Sequence, residues 1–294
     1  MKLITRWFML FVLCAIPASL LPVPLAADTL ETVYFRGNMS PANEVPPVTN
    51  ESAAATGRAT IAFHLRRNDA GAIVSGVVDF DVDYNFPVPV TVRGWHIHEG
   101  AAGVNGPVRI DTGLSATSTV ELSGTGNLFR QVVIASTADP LTLAALGGVR
   151  ANPAGWYLNM HTTVNTGGLF RDQLTRMEMI VVRANMSPAN EVPPIVGLNA
   201  SSAGSAHILF TRDANGVVND GTVRYDVNYN FPGPITLTGL HIHPGAGGIN
   251  GPARLNTPLS AANSVVDADG VGTLSYKVEA NNQNNTGCAA RCPG

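Results

Sequence analysis

The sequence predicts an all-β protein built as two tandem sandwich or barrel domains, from its composition, a two-residue alternation and an internal repeat. Of 294 residues, 45% are hydrophobic and 13% charged, with 30 Gly and 20 Pro. The charged share is about half that of an ordinary globular chain, and abundant Val, Thr, Asn and Gly suit strands and turns better than charged helices. Val78, Phe80, Val82, Tyr84 and Phe86 alternate with Asp79, Asp81, Asp83 and Asn85, the pattern of a strand with one apolar face. Asn38-Met-Ser-Pro-Ala-Asn-Glu-Val-Pro-Pro47 returns unchanged at 185–194, Asp81–Val90 returns in altered form at 226–235, and Gly94–Arg109 at 239–254. Ordered recurrence of three blocks marks two copies of one module.

In chain order, residues 1–27 read as a cleavable export signal: Lys2 and Arg6, an apolar run from Trp7 to Leu21 interrupted by Pro17, then Ala26-Ala27. That run is shorter than the roughly 20 residues needed to cross a bilayer. A secreted or periplasmic protein with no transmembrane segment after signal removal is expected. The first domain spans 28–174, with strands expected at Thr32–Gly37, Ala59–Leu65, the Val78 run, Val90–His98, Leu128–Ile134 and Gly155–His161. The Val78 run and its copy are expected to end at Pro-x-Pro, where N–H groups are missing. Ser136–Val149 reads as one helix closed by Gly147-Gly148. The second domain, 175–294, matches through Leu274 and then runs into an Asn-rich tail, so it is expected to lack the last helix and two strands and to be the less stable half. In that tail Cys288 and Cys292 can close a small disulfide loop in an oxidising compartment.

A net charge of −3 with two lysines, Lys2 and Lys277, leaves no basic patch for a phosphate backbone, which excludes nucleic-acid binding. No nucleophile elbow, catalytic cysteine or Walker loop occurs, so the expectation is not an enzyme. The sharpest chemical feature is His96-Ile-His98 with its twin His241-Ile-His243. Residues i and i+2 of a strand share a face, so each pair projects two imidazoles together. Copper or zinc needs further ligands, and His161 is the candidate third in the first copy. The alternative is that the pair hydrogen-bonds to backbone and carboxylates at the sandwich mouth. Asp79, Asp81 and Asp83 read as a solvated face, since Arg224, Asp226 and Asn228 replace them in the second copy. Asn43, Glu44, Pro46 and Pro47 form a stiff extended segment, with Glu44 and its twin Glu191 available to arginines such as Arg109 and Arg254. Asn105-Gly106 and Asn250-Gly251 mark tight turns.

Together, Asn43–Pro47, Gly94–Gly100, Asn105–Val108, Tyr157–Thr162 and Gly167–Arg171 resemble the chordin-type (CHRD) domain. The resemblance covers nearly all of the first copy and about three quarters of a domain in the second. It implies an immunoglobulin-like sandwich in an exported protein and no general enzymatic activity. The cysteine-rich ligand-binding modules of animal chordin are absent, so growth-factor antagonism does not carry over. Gly94–Glu99 is also similar to the copper-ligating strand of copper/zinc superoxide dismutases, but Val108 stands where that family has its bridging histidine, and its zinc cluster and bracing cysteine pair are missing. A noncatalytic module binding an extracellular or envelope protein or polymer is the expected function, and copper or zinc binding is its alternative.

Overall fold

The computed structural model describes residues 28–281 and 290–291; the predicted export signal and the Cys288–Cys292 pair lie outside them. The first unit contains β1 (Thr29–Met39), β2 (Thr56–Arg67), β3 (Ile73–Glu99), β4 (Val108–Asp111), β5 (Val120–Ile134), helix α1 (Pro140–Ala151), β6 (Trp156–Thr162) and β7 (Phe170–Gln173). All its ladders are antiparallel. β3 organises them. Its first half lies between β2 and β5, and its second half between β4 and β6.

Phe80 and Trp95 show how one strand serves two sheets. Fifteen residues of straight strand would separate them by roughly 50 Å, yet their rings meet edge-on at 5.3 Å. β3 therefore turns back over the core, and the turn falls at Pro87-Val-Pro89, where the register against β5 jumps from Phe86 to Val90. The prolines do not end the strand, as the sequence predicted; they are exposed and form its corner. Phe35, Ile61, Phe63, Phe80, Val82, Trp95, Ile97, Leu158 and Phe170 fill the space between the two layers. Each fully buried side chain of this size contributes about 1.5–3 kcal/mol of transfer free energy.

Asp139 caps α1 by accepting from Leu141 and Thr142 N–H at 3.0 Å each. The helix does not stop at Gly147-Gly148 but runs to Ala151. Gly148 is there for space, because a Cβ would stand 2.5 Å from Cζ2 of Trp156.

β8 (Thr175–Met186) links the halves: its start pairs with β1 and the rest with β9 (Ser201–Arg212). β10 (Val218–Asn230) and β15 (Val271–Asn281) extend that sheet, and Val223, Tyr225, Val227, Leu274 and Tyr276 form a second core. The counterpart of the second half of β3 is broken into β11 (Ile235–Leu237) and β12 (His241–Ile242), paired with β14 (Val265–Asp267) and β13 (Leu255–Asn256), respectively. Among the described residues this unit has no counterpart of α1, β6 or β7. Without a β6-like neighbour, one edge of that broken strand lacks a ladder to hold it straight.

The polar faces of the two units meet. Asp81 (7% exposed) and Asp83 lie 3.1 and 2.6 Å from Lys277 Nζ, and Asp81 also pairs with Arg224. Arg36 and Arg58 reach Glu279 at 3.1 and 3.2 Å and both pair with Asp220. The aspartate stripe is thus not a solvated face: Asp81 and Asp83 are occupied by cations of the second unit, a pairing that local sequence does not encode.

Candidate metal centre

The register of β3 against β6 places Gly94 opposite His161, His96 opposite Asn159 and His98 opposite Tyr157. Trp95 and Ile97 point into the core and are fully buried, so His96 and His98 take the outer face, where β6 delivers His161. The three rings have centroids 5.0–5.7 Å apart, and one ligand atom from each lies within 4.8 Å of the others.

Hydrogen bonding fixes the tautomers of two of the rings. His98 Nδ1 lies 2.9 Å from the Gly106 carbonyl and His161 Nδ1 lies 3.1 Å from the Thr166 carbonyl. A carbonyl only accepts, so both Nδ1 atoms carry the proton and both Nε2 atoms present lone pairs. His96 is turned the other way, with Nε2 3.4 Å from Asp111 Oδ1 and Nδ1 left over. His96 Nδ1, His98 Nε2 and His161 Nε2 are all buried with no hydrogen-bond partner. Burial holds all three imidazoles below the usual histidine pKa, that of His96 down to about 4, where mutual repulsion adds to burial and Asp111 opposes it. At neutral pH they are uncharged, the form that ligates metal.

The surrounding rim orients these rings. Tyr157 stacks on His98, with centroids 4.7 Å apart and planes 14° apart, and its hydroxyl accepts from Gly106 N–H at 2.9 Å. Gly106 must be glycine, because a Cβ would lie 1.7 Å from the Glu99 carbonyl oxygen. Arg171, 3% exposed, donates to the Asn43 carbonyl at 2.7 Å and to Asn105 Oδ1 at 2.8 Å, while Asn105 Nδ2 donates to the Val45 carbonyl at 2.8 Å. The Asn43–Pro47 segment therefore braces the turn that holds His98, with Pro46 and Pro47 exposed at its outer edge.

Glu44 does not pair with Arg109. Arg109 instead meets Glu99 at 2.8 Å, and Glu44 is buried near Arg171 and Asn159, where desolvation pushes its carboxyl up to about 7 against their lowering influence. In the second unit Glu191 and Arg254 are exposed and unpaired with each other. His241 and His243 keep the paired arrangement, with rings 5.7 Å apart and His243 Nδ1 2.8 Å from the Gly251 carbonyl. Asn250 donates to the Val192 carbonyl as Asn105 does to that of Val45. Both histidines are exposed, and no third imidazole joins them among the described residues. Local sequence assigns Asp111, Tyr157 and Arg171 no role at the site; the alternation Tyr157-Leu-Asn-Met-His161 is the one sign that Tyr157 shares the face of His161.

An antiparallel double layer carrying a braced polar rim makes the first unit an all-β module. The family model of the CHRD domain matches residues 35–174, so the first unit is a CHRD domain. No curated protein and no solved structure matches the chain. No helix among the described residues is long and apolar enough to cross a membrane.

Proposed function

We propose that the chain is an exported, noncatalytic binding module whose CHRD domain holds one copper or zinc ion on His96 Nδ1, His98 Nε2 and His161 Nε2. The observation that carries this reading is that His96, His98 and His161 bring one ligand atom each within 4.8 Å of the others while His96 Nδ1, His98 Nε2 and His161 Nε2 are buried with no hydrogen-bond partner. Buried acceptors left unpaired are costly, and a cation satisfies all three together. Ligating histidines characteristically donate their other nitrogen to a carbonyl or carboxylate; Gly106, Thr166 and Asp111 supply those acceptors. Imidazole donors suit copper and zinc, and three protein ligands leave a coordination position for water or for a group on an extracellular or envelope partner. The predicted leader at 1–27 supports export.

Metal analysis tests the reading. Purified full-length chain dialysed against copper or zinc should retain one ion per chain in the first unit. His96→Ala/His98→Ala should lose that ion while keeping the wild-type far-UV circular dichroism. Equal metal content in the two proteins would remove the proposal.

A further inference from the structure

Beyond residue 27 the chain uses arginine throughout and carries a single lysine, Lys277. Arginine is the usual choice for a buried ion pair, because its planar fork is weakly hydrated and grips carboxylates bidentately. Arg36, Arg58 and Arg224 take that part in the seam between the units. Lysine offers what they do not, a primary amine that becomes a nucleophile on losing one proton.

That amine is buried among three carboxyls. Lys277 Nζ stands 2.6 Å from Asp83 Oδ2, 3.1 Å from Asp81 Oδ1 and 3.8 Å from Glu279 Oε1. The carboxyl carbon of Asp83 is therefore no more than one carbon–oxygen bond further from Nζ than Oδ2 is, close to a near-attack arrangement. The carboxyls differ in state. Burial opposes ionisation of Asp81 and Glu279, but the cations beside them prevail and keep both charged, whereas at Asp83 burial prevails and favours the neutral acid. A carboxylate repels a nucleophile; a neutral acid accepts one. Asn127 Nδ2 donates to Asp83 Oδ1 at 2.8 Å, the oxygen on which negative charge gathers when the carbon is attacked. Glu279 Oε1 is buried with no hydrogen-bond partner, an open acceptor beside the amine.

We infer that Lys277 and Asp83 join in an isopeptide bond that ties the second unit covalently to the first, with Glu279 as the proton acceptor. The ammonium passes one proton to Glu279, and the free amine adds to Cγ of protonated Asp83. Glu279 then gives its proton to the departing hydroxyl and takes another from the nitrogen. The C–O bond breaks, water leaves and the Nζ–Cγ amide remains; the proton left on Glu279 passes to solvent. The ion-paired seam is the arrangement from which the bond forms. One bond at one point of β15 tethers the second unit without replacing its core.

Mass spectrometry of the purified full-length chain tests the inference. Wild type should weigh one water molecule less than its residues sum to. A reduced tryptic digest should contain a branched peptide joining residues 68–93 to 255–291, uncut at Lys277, with fragment ions placing the branch at Asp83. Lys277→Arg keeps the cation without the nucleophile, and should restore the full mass and release the two segments separately. Glu279→Gln keeps the shape and removes the base, and should leave most chains unlinked. Circular dichroism like that of wild type would verify that both variants fold. Wild type at full mass, with residues 68–93 and 255–277 recovered as separate peptides, would overturn the inference, as would a branch at Asp81. A Glu279→Gln chain linked as completely as wild type would overturn the part given to Glu279.

Discussion

Glu44 shows what a single buried carboxyl does to stability. It is 4% exposed and its pKa is raised to about 7 by burial, against about 4.3 in an unfolded chain. The folded state therefore binds its proton more tightly. Its contribution is fully present below about pH 4.3 and is lost as pH rises through about 7, a full swing of roughly 4 kcal/mol. Glu44→Gln keeps the shape and removes the titration. Urea unfolding at pH 4.5 and 8.5 should show the variant gaining roughly 3 kcal/mol on wild type between the two; a pH-independent difference would mean that the carboxyl ionises as freely folded as unfolded. That Glu44 could meet an arginine was legible in the sequence, but which arginine was not. Asn43–Pro47 and Arg171 are more than a hundred residues apart and meet only because β7 runs beside the turn after β1. The same holds at the imidazole cluster: two-residue spacing put His96 and His98 on one face, while Asp111 and Tyr157 entered through strand register, which has no local signature.

At the scale of elements, the sequence located strands well and their ends poorly. Pro87 and Pro89 predict a stop, but a bulged corner tolerates missing N–H groups when they face outward. Packing on both sides then carries β3 across, which is why the second unit, lacking a β6-like neighbour among its described residues, breaks at the equivalent Pro232-Gly-Pro234. The end of α1 lies beyond the predicted Gly147-Gly148 stop for a related reason: Gly148 answers to the ring of Trp156 rather than to backbone freedom. The two explanations predict opposite signs for Gly148→Ala. Helix propensity alone gives a gain of about 1 kcal/mol. A Cβ 2.5 Å from a ring only 8% exposed gives overpacking, costing about 1–3 kcal/mol. We expect the loss, read as a lowered thermal midpoint with altered Trp emission; a stabilised variant would show that the ring yields freely.

Across the whole molecule, four cationic and four anionic side chains fill the seam between the units: Arg36, Arg58, Arg224 and Lys277 against Asp81, Asp83, Asp220 and Glu279. Burial opposes ionisation of Asp81 and Glu279, yet the cations beside them win and hold both carboxyls below their usual range, whereas burial prevails at Asp83 and raises it. Lowered carboxyls stabilise the fold above their unfolded values, about 4, and that contribution is lost as pH falls further through their folded values. Removing one partner of a buried pair is worse than removing both, because the survivor stays charged and unpaired. Lys277, 4% exposed, neutralises two aspartates at once, so Lys277→Met should cost about 3–5 kcal/mol. The loss should fall on the second unit, whose core is the smaller one and whose β15 carries Lys277. Trp95 and Trp156, the tryptophans among the described residues, both sit in the first unit, so their emission follows that unit while far-UV circular dichroism follows both. In urea, the Lys277→Met chain should show an early dichroism transition with Trp emission still native, and wild type should do the same when acidified below about pH 4. Coincident transitions in both signals would mean that the units unfold as one and that the seam transmits its loss to the first core as well.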